Sequence, residues 1–131
     1  MTLEAPMNEA QFRDFGQEWI QAWNSHDLDR IVGHYGEDVV LTSEFIQKLV
    51  GPGIAEIRGI VSLRNYFRIG LENFPSLKFE LFAVYPGANS VVLHYRSVNG
   101  LLAAEFMRFN ANGKVSEVCA HYRQESALSP T

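Results

Sequence analysis

Glu105 and His94 are the two side chains in this sequence best suited to moving a proton. A carboxylate and an imidazole held side by side can give and take protons near neutral pH. Their pairing follows from a turn. Asn99-Gly100, between the strand-like runs VVLHYRSV and LLAAEFMRF, is a strong hairpin signal. A two-residue loop there sets Val98 opposite Leu101, Arg96 opposite Ala103, His94 opposite Glu105 and Val92 opposite Met107, all on one side of the sheet. A four-residue loop from Asn110 to Gly113 then sets Glu105 opposite Val118, Ala103 opposite Ala120 and Leu101 opposite Tyr122. That side is apolar and aromatic with a few polar groups, the usual make-up of a small-molecule site. The pair has two readings: a proton-transfer pair in a pocket, or a structural ion pair that positions Arg96 or closes the fold around the pocket.

Other chemistries find less support. His26, His34 and His121 have no partners at ligand spacing, so no metal site is expected. Ser43 lacks the context of a nucleophile elbow, and Cys119 sits in an apolar strand with nothing nearby in sequence to lower its pKa. The Gly51-Pro52-Gly53 stretch does not precede a capped helix as a phosphate loop should. No cofactor is implied.

These side chains need elements to hold them. Asn8 with Gln11 resembles a capping box, and Phe12, Phe15, Trp19, Ala22 and Trp23 then recur at helical spacing. Asp27 can cap a second helix, with Leu28, Ile31, Val32 and Tyr35 on one face and Gly36 as its stop. EDVVLTS has strand composition, and EFIQKLVGPGIAEIRG predicts two short extended pieces around a turn. Ile60, Leu63, Phe67, Leu71 and Phe74 form the stripe of a third helix that ends at Pro75. The runs LKFELFAVY, VVLHYRSV, LLAAEFMRF and VSEVCAHY predict an antiparallel meander. Helices can cover only one face of such a sheet, which makes the class α+β.

Composition sets the outer bounds. The chain has 131 residues, 47% of them hydrophobic, enough for one cored domain; residues 8–125 are expected to form it, with short tails at 1–7 and 126–131. The formal net charge is −4, and the eleven Lys and Arg are scattered, which argues against a nucleic-acid or anionic-membrane surface. The opening residues lack the pattern of a secretory signal, and a single cysteine fits a cytoplasmic location.

In order and spacing, WNSHDLDRIVGHYGEDVVLTS, GIVSLRNYF and MRFNANGKVSEV resemble the nuclear transport factor two-like superfamily, in its SnoaL-like and ketosteroid-isomerase-like branches, from about Asn8 to Tyr122. The resemblance implies a strongly curved antiparallel sheet wrapped by three helices into a cone with an interior pocket. It turns the Glu105 side inward and aims Trp19, Trp23 and Tyr35 at the pocket, where Ser43, Phe67, Arg96, Met107, Val118 and Tyr122 join them as candidate ligand contacts. The family's catalytic positions transfer unevenly. The isomerase tyrosine falls on Trp19, its base on Ser43 and its oxyanion acid on Glu105; the cyclase aspartate falls on Ala120. The cationic neighbours His94 and Arg96 are expected to outweigh burial and keep Glu105 ionised.

Two functions follow as expectations. One is a cofactor-independent isomerase, dehydratase or cyclase acting on a hydrophobic small molecule through Glu105 and His94. The other is a non-catalytic module that binds such a ligand or a partner protein. The second side of the sheet, with Leu93, Tyr95, Ala104, Phe106, Val115, Cys119 and His121, is too apolar to stand free and predicts a homodimer through the convex face.

Overall fold

The computed structural model describes residues 7–125. The expected tails at 1–6 and 126–131 lie outside the described residues, whereas Met7 is partly buried against the core. Helix α1 spans Glu9–Ser25, with the capping box in place: the Asn8 side-chain Oδ1 accepts from the Gln11 backbone N–H at 2.9 Å, and the Gln11 side-chain oxygen accepts from the Asn8 backbone N–H at 2.8 Å. Asp27 caps the short α2, Leu28–Val32, by accepting from the Arg30 N–H. Strand β1 is Tyr35–Thr42, α3 is Phe45–Leu49, β2 is Glu56–Arg58 and α4 is Ile60–Asn73. The remainder is strand: β3 Glu80–Gly87, β4 Ser90–Arg96, β5 Leu101–Phe109 and β6 Val115–Gln124.

Two local expectations change. Tyr35 opens β1 instead of closing a helix, because α2 already ends at Gly33. The stretch Phe45–Leu49, expected to be extended, is one turn of helix that buries Ile46.

The strands form one sheet in the order β2-β1-β6-β5-β4-β3. The meander from β3 to β6 is antiparallel, but β1 runs parallel to β6, so the sheet is mixed. Register shifts in β3 and near the start of β6 mark bulges, which bend a sheet. Helices α1 and α4 cover one face. Phe12 and Phe15 of α1 meet Phe109 of β5, Trp19 meets Tyr95 of β4, and Phe67 of α4 meets Tyr35 of β1. Gly16 permits the close approach of α1, since a Cβ there would stand 2.7 Å from Val84 Cγ2. Among the described residues no helix is long and apolar enough to cross a membrane.

The β4–β5 register differs from the expected one by a single residue. Asn99 and Gly100 do form the turn, both at positive φ, and the Leu101 N–H bonds the Val98 carbonyl. The Ser97 N–H, however, also bonds Leu101, at 2.7 Å, so Val98 is an extra residue. Beyond it Arg96 faces Leu102, His94 faces Ala104 and Leu93 faces Glu105. A slip of one residue moves every side chain of a strand to the opposite face. Leu93 and Tyr95, expected outside, are therefore buried in the core, and Val92, His94 and Arg96 are turned outward. The β5–β6 register is also displaced, by two residues, with Glu105 opposite Ala120 and Met107 opposite Val118. A two-residue displacement preserves the face, so Glu105, Met107, Val118 and Tyr122 stay inward. Val115, expected outside, is fully buried next to the irregularity in that pairing.

Candidate functional site

Between the sheet and the helices lies a cavity with about 600 Å³ of empty space, counted with its open mouth. Helix α1 supplies Trp19 and Trp23, four residues apart on its inner stripe. Helix α4 adds Tyr66 and Phe67, and Phe45 of α3 stands near the outer end beside Tyr122, ring centroids 4.7 Å apart. The sheet contributes Tyr95, Glu105 and Tyr122 from three neighbouring strands. Ser43, just past the end of β1, is buried and turned into the same space.

Glu105 is the buried acid of the described core, 5% exposed. The Tyr95 hydroxyl donates to its Oε1 at 2.5 Å. Burial pushes the Glu105 carboxyl up to about 7, against the lowering effect of the Tyr95 hydrogen bond. His94 and Arg96, the cations expected to hold it down, do not line the cavity. His94 packs on Phe82 on the outer face, and Arg96 pairs there with Glu80 and Glu125. The expected Glu105–His94 pair thus does not form; Tyr95 takes the place assigned to His94. Burial, with the nearby Glu105 charge second, likewise raises the phenols of Tyr66, Tyr95 and Tyr122 above their ordinary value, so all three remain neutral donors across the physiological range.

The other candidate contacts divide into two sets. Trp19, Trp23, Ser43, Phe67 and Tyr122 line the cavity. Tyr35 lies behind its wall, where the hydroxyl accepts the Trp19 indole N–H at 2.8 Å. Met107 and Val118 are fully buried packing beneath the lining. The Trp23 indole N–H is buried with no hydrogen-bond partner among the described residues.

Sequence reasoning missed Tyr95 and Tyr66. A signal for Tyr66 was present: it sits three residues after Leu63 and beside Phe67, on the same helix face. Tyr95 was hidden by the Val98 insertion.

The SnoaL-like domain family matches residues 17–126, and the chain belongs to that family. No curated protein matches it. Among solved structures, a SnoaL-like protein of unknown function from Burkholderia thailandensis is 38% identical, with a TM-score of 0.84, over 90% of this chain and 99% of that one. AclR of Streptomyces galilaeus, provisionally named a hydroxylase, is 23% identical at TM-score 0.69, over 92% of this chain and 84% of its own. A protein of Kribbella flavida provisionally named a ketosteroid isomerase is 14% identical at TM-score 0.69, over 93% and 84%. At those identities the last two are similar in fold alone.

Proposed function

We propose that the chain binds a small hydrophobic molecule in the aromatic cavity and that Glu105 moves a proton to or from it without a bound cofactor. One observation carries the reading: an acid at the cavity wall, buried and without a cation, is raised to about 7. Both protonation states are then populated at neutral pH, the condition for an efficient acid and base. Tyr95 fixes the carboxyl's orientation, and the hydroxyls of Ser43, Tyr66 and Tyr122 can bind polar atoms of the ligand. Isomerisation, dehydration and cyclisation all need such a proton shuttle, and the provisional names of two fold neighbours lie in the range of small-molecule chemistry.

The test is a panel of cyclic ketones and alcohols, with binding followed by fluorescence of Trp19 and Trp23. Exchange of ligand protons for deuterium is followed by NMR in the wild type and Glu105→Gln. Exchange that the variant abolishes supports an acid–base role. Binding without exchange in either protein favours the second reading, a non-catalytic binding module. That reading draws on Trp19, Ser43 and Ala120, which occupy three positions where the family resemblance places acid–base groups.

We also propose that a second copy docks on the outer sheet face. The face carries Phe82, Val92, His94, Phe106 and Cys119, with Phe82 42% exposed.

A further inference from the structure

We propose that the molecule taken by this cavity is a protonated amine, its ammonium against Glu105 and its hydrocarbon part among the aromatic rings. The inference rests on the cavity being a ligand site, and it adds the ligand's charge.

The first ground is the sign of the site. Among the described residues that line the cavity none is Lys, Arg or His, and Glu105 is the only acid. The ion pairs among the described residues, such as Glu18 with Arg30 and Glu117 with Arg108, lie at the surface. Among the described residues Glu105 has no such partner. A buried charge is retained at a cost unless something pairs with it. An ammonium ligand supplies that partner, whereas an anion meets the repulsion of the ionised carboxylate, in a chain whose net charge is already −4.

The second ground is hydrogen-bond geometry. An ionised carboxylate accepts at both oxygens. Tyr95 serves Oε1, while Oε2 has no hydrogen-bond partner among the described residues. An ammonium donates to that free oxygen, and the hydroxyl oxygens of Ser43 and Tyr122 on the same cavity can accept its other protons. The third ground is the lining. The rings of Trp19, Trp23, Phe67 and Phe79 surround the same space, and aromatic faces attract cations most strongly when water is excluded. In this complex Glu105 is a counter-ion first. The proton it exchanges is the one on nitrogen: transfer to Oε2 breaks one N–H bond, forms one O–H bond and leaves a neutral amine.

The titratable groups close enough to Glu105 to feel its charge are Tyr95 of β4, Tyr122 of β6, Tyr66 of α4 and, from behind the wall, Tyr35 of β1, all phenols raised above their ordinary value. Glu105 is therefore the group that titrates near neutrality, with its carboxyl at about 7. Amine affinity should follow its ionised fraction and fall about tenfold from pH 8 to pH 6.

The experiment uses the full chain and three probes of one shape, benzylamine, benzyl alcohol and benzoate, titrated calorimetrically at both pH values. Benzylamine should bind tightest at pH 8 and weaken about tenfold at pH 6. Benzyl alcohol should change little, and benzoate should bind more weakly than benzylamine at pH 8. In Glu105→Gln the preference for amine over alcohol should vanish. In Tyr95→Phe, which keeps the acid, it should survive. Benzyl alcohol or benzoate binding as tightly as benzylamine, or an amine preference that persists in Glu105→Gln, overturns the proposal. Failure of all three probes overturns it too; the ligand-site reading falls with it only if the cyclic ketones and alcohols also fail to bind.

Discussion

Replacing Glu105 by Gln should make the protein more stable at pH 8 and leave it nearly unchanged at pH 4.5. Gln keeps the shape, and its carbonyl can still accept the Tyr95 hydroxyl. The difference lies in the cost of burying a charge. In the unfolded chain the carboxyl titrates near 4.5; in the folded protein burial raises it to about 7. Below 4.5 both states hold the proton, and the neutral acid's contribution to stability is fully present. Between those values the unfolded chain loses its proton while the folded protein keeps it. Stability then falls by roughly 1.4 kcal/mol per pH unit, to a total near 3 kcal/mol once the pH passes 7. Gln has no such loss. Urea unfolding of both proteins from pH 4.5 to 8, followed by tryptophan fluorescence, reads the difference directly, because other titrating groups contribute equally to the two. A stability difference approaching ~3 kcal/mol is a sizeable share of the ~5–15 kcal/mol typical of a domain. A difference that stays flat with pH, or a variant less stable than wild type at pH 8, would refute the assignment of Glu105 as an unpaired buried acid.

Tyr95→Phe removes the donor to Glu105 Oε1, which should cost about 1–3 kcal/mol and raise the carboxyl's pKa further, read by pH-difference infrared spectroscopy; a lowered pKa would contradict the geometry. Gly16→Ala places a Cβ 2.7 Å from Val84 Cγ2, on a stiff β-branched side chain. The overpacking cost of about 1–3 kcal/mol should exceed the gain of about 1 kcal/mol in helix propensity, so the midpoint of thermal unfolding should fall. Phe106→Glu should convert the proposed dimer into a folded monomer by light scattering, and a wild type already monomeric at micromolar concentration would remove the dimer.

Much of the scaffold was determined by sequence alone, because its signals are local. The capping box at Asn8 and Gln11, the cap at Asp27, the apolar stripe from Phe12 to Trp23 and the turns at Asn99-Gly100 and Asn110 to Gly113 involve residues a few positions apart. The caps and the stripe appear where the sequence placed them, and both turns fall at the expected residues, each in a loop one residue longer than expected. Glu105, Met107, Val118 and Tyr122 were assigned to the inner face, and they remain there despite a two-residue error in register, since side chains alternate with a period of two. The short helix at Phe45–Leu49 was not legible, for one turn is too short to display a period.

What tertiary structure decided was the company Glu105 keeps. A hairpin signal gives the turn but not whether one residue is inserted beside it. The extra Val98 turns β4 over, so His94 and Arg96 leave the cavity and Tyr95 enters it. Packing favours that register because it buries Leu93 and Tyr95 against the helices and leaves the charged Arg96 to pair with Glu80 and Glu125 at the surface. The sequence with its expected register predicted an ionised carboxylate among cations. The folded chain instead surrounds the same carboxylate with phenols and indoles, and desolvation with no cation to oppose it raises its pKa.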